Sequence, residues 1–488
     1  MDDNVAQEQV VLGDTTEQFD EIGELVERGF SLKENSGEIT NFNANFFAYY
    51  IKGRIEILYS KDGFFHIYES GVWKKQDDQM MYKILRDILQ EPRFGVWNRR
   101  YEDEYVAALK REVFYPKDMN PNRDIINLQN GVFDLKTLEF LPHDPKYLST
   151  IQIPVMYDEN AECPNFLKFL DEVFEEDAER IAVSQEWFGY AITMKTDAQK
   201  ALILYGPGGN GKGVFVDILS IIIGEENISH IPLNELHRGF SRVSLYGKTA
   251  NISNENESDG KSTNTQYFKA IVGGDPISAE QKNKPVFSFT PTAKLIMSMN
   301  HLPTTRDRSI GYYRRLMILC FLSYFGDEKR DLELKMKLKE ELPGIFLWAL
   351  EGHKRLSSNK HRFSKCKNMD DILAEYQKEQ NPMIEFVEEC TVKVEDQSYK
   401  EDNRVIHDSF KSWAEKNGYS GYASISIQKF WKELETVAKV KGYNCKAGRS
   451  NDFRYHTGIK ILPQYRVEAK IRSRVLKNRK SNEELLLE

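Results

Sequence analysis

Three features of the 488-residue sequence predict an α/β protein. Residues 201–223 are predicted to form an apolar strand, a glycine-rich loop and an apolar helix. Strands and helices then alternate as far as about Phe325. Ahead of this core, short stretches such as Ile55–Tyr59 and Phe64–Tyr68 predict strands, and Met80–Gln90 predicts a helix. The length allows two to four domains.

Composition and charge exclude several classes of protein. No stretch approaches 18 uninterrupted apolar residues, and the acidic N-terminus is unlike a signal peptide, so we expect a soluble, cytoplasmic protein without a membrane partner. Five scattered cysteines without a C-x-x-C pair argue against a disulfide framework and against a zinc site.

The formal net charge of −8 is unevenly distributed along the chain. Residues 1–30 hold nine acidic residues and one arginine, a net charge of −8. Residues 402–480 hold 18 Lys and Arg against seven Asp and Glu, a net charge of +11. A basic module at one end of an acidic chain favours a nucleic-acid partner for that module. The alternative is an ordinary solvated charged surface.

The loop after the first core strand fits the phosphate-binding pattern G-x-x-x-x-G-K. Its residues are Gly206, Pro207, Gly208, Gly209, Asn210, Gly211 and Lys212, followed by Gly213 and Val214. Glycines let consecutive backbone N–H groups turn toward a phosphate, and Lys212 would reach the β- and γ-phosphates of ATP. Gly213 stands where a hydroxyl normally grips Mg²⁺. The alternative is a plain glycine-rich turn in a sheet protein.

Two polar positions follow later strands of the predicted core. The strand over residues 248–254 leads into Glu255, a candidate for polarising the attacking water or holding Mg²⁺, with Asn254 beside it. The strand that begins at Lys294 ends in Asn300, whose amide could hydrogen-bond both the γ-phosphate and the water. Taken singly, an acid after a strand is common, and an asparagine at that place is usually a turn former.

Arg314 and Arg315 open the next apolar strand, Leu316–Ile318. Paired arginines at this place suit a transition-state charge that is supplied from outside the phosphate loop. Without the preceding motifs, they would be interpreted as arginines of surface salt bridges.

The C-terminal module predicts a helix-turn-helix with a β wing. Two helical runs, Val405–Lys416 and Ile427–Ala438, precede a stretch rich in Gly, Tyr and basic residues over 442–465. Candidate DNA-binding residues on the second helix and the wing are Gln428, Lys429, Lys432, Lys446, Arg449 and Arg454. The alternative is a helical cap that only stabilises an assembly.

The order of these motifs resembles that of superfamily 3 helicases, in the branch of phage, plasmid and poxvirus primase-helicases. The core motifs that carry the resemblance are Gly206–Gly213, Gly273–Pro276, Met299–Pro303 and Tyr313–Arg315. Two flanking stretches, Asn127–Leu135 and Leu342–Gly352, also resemble that branch. The resemblance spans about residues 50–460. Asn254 stands where many members of the family carry a second acid.

The resemblance implies a ring of AAA+-type motors, usually a hexamer, that moves 3′→5′ on DNA with ATP bound between subunits. Arg315 best matches the finger that reaches into a neighbour's site, and Arg314 is second. Residues 279–285 match a hairpin in the central channel, where Lys282, Asn283 and Lys284 would contact DNA phosphates. An ordinary polar turn is the alternative for this stretch.

The expected architecture is α/β, an AAA+-type phosphate-loop ATPase core with a small N-terminal α/β domain and a C-terminal winged-helix domain. The expected divisions are an acidic flexible arm (1–45), the N-terminal domain (46–160), a helical collar (161–198), the core (199–326), a helical segment (327–400), the winged helix (401–465) and a basic tail (466–488). Because about 45 residues precede the first domain, we expect no primase domain and no primer synthesis.

The sequence therefore favours an ATP- and Mg²⁺-dependent replicative DNA helicase that also initiates replication of a phage, plasmid or genomic island. Single- and double-stranded DNA, copies of the same chain and a separate primase or host replication proteins are the expected partners. The second hypothesis is an origin-binding ATPase that assembles on DNA without processive unwinding. The third is an ATPase with a task away from nucleic acid, which the basic C-terminal module disfavours.

Overall fold

The computed structural model describes residues 20–254, 265–282, 285–305, 307–326, 331 and 333–467. An N-terminal unit comes first. Its elements are α1 (Glu21–Glu27), β1 (Phe30–Leu32), β2 (Ile39–Phe42), α2 (Ala44–Arg54), β3 (Ile57–Tyr59), β4 (Phe65–Glu69), β5 (Val72–Lys75), α3 (Asp78–Gln90) and α4 (Arg99–Glu112). Strands β1 and β2 form an antiparallel hairpin, and β3, β4 and β5 form an antiparallel sheet.

The expectation of a flexible arm over residues 1–45 is wrong for residues 20–45. Leu25, Phe30 and Phe42 are buried in one core with residues of α2, α3 and α4. The physical reason is that these few apolar side chains in α1 and the hairpin are enough to anchor an otherwise acidic segment. Residues 1–19 of the expected arm lie outside the described residues.

A second antiparallel sheet and two helices lead from this unit to the central sheet. They are β6 (Ile125–Leu128), β7 (Gly131–Asp134), β8 (Glu139–Leu141), α5 (Pro164–Phe174) and α6 (Ala178–Ala191). The helical collar expected over residues 161–198 contains two helices, because Glu175 and Glu176 adopt left-handed backbone conformations, with φ of 54° and 59°. Asp177 then accepts hydrogen bonds from the N–H groups of Glu179 and Arg180 and starts α6.

The central sheet has five parallel strands in the order β10–β11–β14–β9–β15. In chain order, the strands of this sheet and the elements between them are β9 (Ala201–Tyr205), α7 (Lys212–Ile223), β10 (Ile228–Ser229), α8 (Gly239–Arg242), β11 (Ala250–Asn254), α9 (Thr265–Gly273), β12 (Ile277–Ala279), β13 (Phe287–Phe289), β14 (Lys294–Met299), α10 (Ile310–Tyr313) and β15 (Leu316–Cys320). Successive residues of β9 enter different cores, Leu202 on one face of the sheet and Ile203 on the other.

Three helices follow the sheet: α11 (Leu334–Glu340), α12 (Leu342–Ser358) and α13 (Lys367–Gln380). Helices α6 and α12 approach each other backbone to backbone. A Cβ atom on Gly189 would lie 2.4 Å from the backbone nitrogen of His353, and one on Gly352 would lie 2.1 Å from the carbonyl oxygen of Gln185. Glycine is therefore required at both positions for this separation of the helices.

The C-terminal unit is built from α14 (Pro382–Cys390), β16 (Thr391–Lys393), β17 (Glu401–Asp402), α15 (Asn403–Lys416), α16 (Ser420–Ala423), α17 (Ile427–Val440), β18 (Lys446–Arg449), β19 (Arg454–Thr457) and β20 (Ile459–Ile461). Its expected start at residue 401 is too late, because Met383, Phe386 and Val387 of α14 share the core of α15 and α17. Strand β16 also pairs with β20. Among the residues described, no helix is long and apolar enough to cross a bilayer.

Candidate nucleotide site and nucleic-acid interface

The glycine-rich loop connects β9 to α7 at the carboxyl edge of the parallel sheet. Gly206 has a φ of 153°, and a Cβ there would lie 2.3 Å from the carbonyl oxygen of Phe321. Gly211 has a φ of 86°, and a Cβ there would lie 2.7 Å from Cγ2 of Val173. Only glycine fits both positions, so the loop curls tightly over the start of α7.

Lys212 is the first residue of α7, directly after this loop, and is 7% exposed. Its Nζ donates hydrogen bonds to the carbonyl oxygens of Gly206 (2.5 Å) and Pro207 (2.8 Å) and to Oδ1 of Asn300 (3.1 Å). These three acceptors are neutral. The ammonium group is therefore held over the loop at the place where the sheet edge accepts a ligand in parallel α/β folds.

Asn300 directly follows β14, the strand that pairs with β9. Met299 is the register partner of Tyr205, so the residues after them leave the sheet side by side. The sequence placed Lys212 and Asn300 in separate motifs 88 residues apart, and the structure brings them into contact.

Asn210 uses its side chain differently from the rest of the loop. It is buried, and its Nδ2 donates to the carbonyl oxygen of Phe321 at 2.9 Å. The side chain therefore ties the loop to the end of β15, and only the backbone of Asn210 is left for a ligand. Pro207, Gly208 and Gly209 are exposed on the open side of the loop.

Gly213 and Val214 lie in the first turn of α7. Gly213 is exposed, and no atom lies within 4 Å of the position that its Cβ would occupy. The site therefore has room for a hydroxyl-bearing side chain at this position, although the sequence supplies none. The glycine cradle and the lysine fit a nucleotide triphosphate, while Mg²⁺ would depend on nucleotide oxygens, water and a carboxylate.

The expected metal-binding residues are only partly described. Asn254 is the last residue of β11, is exposed and is in register with Ser298 of β14. It thus lies at the same edge of the sheet as Asn300. Glu255 lies outside the described residues.

One aromatic residue at this edge was missed from the sequence. Tyr324 follows β15, and a ring carbon lies 3.1 Å from the position of a Cβ on Gly209. The backbone N–H of Phe325 donates to the carbonyl oxygen of Gly209 at 2.7 Å. Tyr324 is 74% exposed. The available signal was its place just after a strand that neighbours β9.

Arg314 and Arg315 lie at the opposite edge of the sheet. The carbonyl oxygen of Arg315 accepts from the N–H of Ala201, at the start of β9. Since β9 is five residues long, about 16 Å of strand separate this edge from the loop. The structure does not bring either arginine to Lys212 of the same chain.

The two arginines differ in their surroundings. Arg315 is half-buried, donates from Nη1 to the carbonyl oxygen of Gly311 at 2.6 Å, and its Nε has no hydrogen-bond partner. Burial lowers the pKa of the Arg315 guanidinium, and the neighbouring charge of Arg314 lowers it further. Arg314 is exposed.

The expected DNA-contacting hairpin is present as β12 and β13, which pair antiparallel. Lys282 is exposed in the turn between them, whereas Asn283 and Lys284 lie outside the described residues. The short helix α8 packs against this hairpin, with the N–H of Glu280 donating to the carbonyl oxygen of Gly239 at 3.1 Å. Its residue Phe240 is 61% exposed and was missed, although a basic-aromatic run, His237–Phe240, marked it in the sequence.

The candidate DNA-binding residues of the C-terminal unit are all exposed. They are Gln428, Lys429 and Lys432 on α17, and Lys446, Arg449 and Arg454 on the β18–β19 hairpin. Arg449 and Arg454 are register partners at the end of that hairpin. Like charges directly opposite each other are unfavourable without an anion, so this pair favours an anionic ligand.

Three parts of the chain match known families. Residues 44–175 match the family described as D5 N terminal like, and residues 378–462 match the family described as Poxvirus D5 protein-like. Residues 204–315, with the phosphate loop, match a family of unknown function, DUF5906. The two flanking matches are to D5-type domains and support the resemblance to that helicase type, without specifying superfamily 3.

Similar curated proteins come from viruses. A protein of Acanthamoeba polyphaga mimivirus, named Putative helicase L207/L206, is 28% identical over 244 residues, which are 48% of this chain and 25% of that protein. Putative helicase 121R of Invertebrate iridescent virus 3 is 25% identical over 362 residues, 63% of this chain and 37% of that protein. The matched region thus spans only a quarter to just over a third of these relatives.

Solved structures of the NrS-1 C-terminal region are similar in fold. The apo structure of residues 305–718 superposes with a TM-score of 0.51 at 14% identity, covering 86% of this chain and 100% of that chain. A second apo form gives a TM-score of 0.50, also at 14% identity, covering 86% of this chain and 100% of that chain. The similarity covers most of the chain and is one of fold alone, a mixed α/β fold.

Proposed function

We propose that this protein is an ATP-dependent replicative DNA helicase that also initiates replication. The observation that carries the proposal is the contact between Lys212 and Asn300 over a glycine cradle at the carboxyl edge of a parallel sheet. Similarity to proteins named putative helicases supports DNA as the polymer on which this nucleotide site acts.

The loop and its neighbours would hold the nucleotide. Backbone N–H groups of the loop and the N-terminus of α7 bind phosphate oxygens, and Lys212 balances the charge that develops on the γ-phosphate. Asn300 would orient the attacking water, and Glu255, with Asn254 beside it, would polarise that water or hold Mg²⁺. ATP, when bound, supplies the phosphoanhydride bond whose hydrolysis drives the motor. The exposed ring of Tyr324 offers a face on which the base stacks.

The arginine edge would act on a neighbouring copy of the chain. Arg315 lies about 16 Å of strand away from its own loop, so it serves a nucleotide held by another subunit. We propose that this arginine lies between the subunits of a ring. The proposal includes an AAA+-type core, a hexamer and movement of the protein in the 3′→5′ direction on DNA. Arg314, which is more exposed, is the second candidate for the same role.

DNA would contact the protein at two places. The hairpin of β12 and β13, with Lys282, Asn283 and Lys284, grips phosphates of a single strand in a salt-dependent way, and Phe240 lies beside it. The C-terminal unit acts as a winged helix on duplex DNA, with α17 in the major groove and the β18–β19 hairpin on the backbone.

Strand displacement on a forked DNA with ATP and Mg²⁺ tests this function. We expect the full-length protein to separate the strands, and the Lys212→Ala protein to bind DNA without separating them. Unwinding by the Lys212→Ala protein would contradict the proposal. So would an intact protein that neither hydrolyses ATP nor separates the strands.

The alternative is an origin-binding ATPase that assembles on DNA without processive unwinding. The opposed Arg449 and Arg454 and the exposed basic residues of α17 favour a duplex-binding role for the C-terminal unit. DNA-stimulated ATP hydrolysis and protein assembly on duplex DNA, together with no strand displacement, would establish this alternative.

A further inference from the structure

A segment links the two edges of the sheet and is held by the C-terminal half of the chain. This linking segment comprises residues 303–305 and 307–315. It follows Asn300, at the carboxyl edge of the sheet (the phosphate edge), and ends with Arg315 at the opposite edge (the arginine edge). The hydroxyl of Tyr376 in α13 donates to the carbonyl oxygen of Pro303 at 2.5 Å. The backbone N–H of Thr305 donates to Oε1 of Gln380 at 3.1 Å.

Arg308 reaches from the linking segment into the C-terminal unit. Its Nε donates to the carbonyl oxygen of Gln380 at 2.7 Å, and its Nη1 lies 3.2 Å and 3.3 Å from the two carboxylate oxygens of Glu433. The guanidinium also lies over the ring of Tyr422, at 4.5 Å from its centroid. Only 22% of the Arg308 side chain and 16% of the Glu433 side chain are exposed.

Glu433 belongs to α17, the helix that carries the candidate DNA-binding residues. One turn earlier on the same flank, Nζ of Lys429 lies 3.7 Å from Oε1 of Glu433. The hydroxyl of Tyr422 donates to the other carboxylate oxygen. Burial raises the pKa of the Glu433 carboxyl, and the charge and hydrogen bond of Arg308 oppose that rise.

We propose that Arg308 and Glu433 couple DNA bound on α17 to the nucleotide site, with Arg308 as a positioning residue for Asn300 and Arg315. This inference rests on the proposed function, since it requires ATP at the loop and DNA on α17. A phosphate that takes up Lys429 leaves Glu433 bound to Arg308 and to the hydroxyl of Tyr422. The linking segment is then fixed against α17, and Asn300 and Arg315 at its two ends are fixed with it.

The pair is suited to this coupling because moving either partner away from the other has a large cost in free energy. Breaking a mostly buried ion pair leaves a charge without its partner, which is far costlier than the loss of a surface pair. The nearby pair of Arg404 and Asp402, at 2.7 Å, is a surface pair by comparison, because 61% of the Arg404 side chain is exposed. It lies within the C-terminal unit alone.

The test measures ATP turnover with and without a saturating forked DNA, and DNA affinity by fluorescence anisotropy, on the full-length protein. The variants are Glu433→Gln, Arg308→Gln and both together, with Arg404→Gln as the matched control. We expect either single variant to reduce DNA stimulation about 5-fold or more. DNA affinity and turnover without DNA should stay near the wild-type values for Glu433→Gln, while the melting temperature should fall because Arg308 loses its charged partner.

The double variant separates coupling from two independent defects. Through one shared contact, it should lose no more stimulation than the worse single variant. Arg308→Lys, which keeps the charge, should recover part of the stimulation. Normal stimulation in both single variants, multiplied losses in the double variant, or an equal loss in Arg404→Gln would overturn the inference.

Failure of the inference is distinguishable from failure of the proposed function. A wild-type protein that neither hydrolyses ATP nor binds DNA would contradict the proposed function. A wild-type protein that hydrolyses ATP and binds DNA, but whose turnover does not respond to DNA, would overturn only the coupling through Arg308 and Glu433.

Discussion

The two edges of the central sheet are built differently. At the phosphate edge, Lys212, Asn300 and the glycine loop meet within one chain, and Lys212 is nearly buried by its contacts. At the arginine edge, Arg315 is half-buried with an unpartnered Nε, and Arg314 is exposed. Under the proposed function, the first edge would hold a nucleotide and the second would face the site of a neighbouring subunit.

Lys212→Ala should have the largest effect on ATP turnover, since it removes the cation of the phosphate edge. We expect ATP turnover to fall about 1,000-fold or more, because phosphoryl transfer depends on such charge stabilisation. The fold should persist, as judged by circular dichroism, and duplex binding by the C-terminal unit should be retained. Wild-type turnover by the Lys212→Ala protein would show that this loop is not the nucleotide site.

Arg315→Ala tests whether the arginine edge serves a neighbour. Turnover should fall about 100-fold or more, while binding of a fluorescent ADP analogue stays near normal. Mixing this protein with the Lys212→Ala protein should restore part of the turnover, because some interfaces then have both groups. Arg314→Ala is the matched control and should lose less. Mixtures that stay inactive at every ratio would argue against a site shared between subunits.

Lys282→Ala combined with Lys284→Ala should separate hydrolysis from movement. We expect ATP turnover without DNA to be unchanged and strand displacement to fall about 10-fold, because phosphate contacts carry most of the affinity for a single strand. The difference in strand displacement between the variant and the wild-type protein should narrow as the salt concentration is raised. Unimpaired displacement at low salt would show that the β12–β13 hairpin is not the DNA contact.

Gly213→Ser should have the smallest effect and the opposite sign. The position is open, so the hydroxyl fits without displacing any neighbour and adds a ligand for Mg²⁺ at the phosphate edge. We expect the Mg²⁺ concentration for half-maximal turnover to fall about 2-fold to 5-fold. Gly213→Ala, which adds bulk without oxygen, is the control and should leave the Mg²⁺ dependence unchanged.

The phosphate edge was largely predictable from the sequence. The strand over Ala201–Tyr205 has the predicted bounds, because a continuous apolar run that ends in glycine has few alternative structures. The meeting of Lys212 and Asn300 follows from the parallel order of β9 and β14, since residues after adjacent parallel strands leave at the same edge.

Other features left no local signal. The break between α5 and α6 falls on Glu175 and Glu176, where neither glycine nor proline marks it. The pairing of Arg308 with Glu433 joins residues 125 apart and depends on how the C-terminal unit packs on the core. Residues 20–45 were misjudged because their acidic composition outweighed three apolar side chains that only the tertiary structure buries.

The backbone contact of α6 with α12 limits how the protein can change shape. Shear between two helices requires side chains that slide and repack, and at Gly189 and Gly352 there are none between the two backbones. We therefore expect α6 and α12 to travel as a single rigid body through the nucleotide cycle.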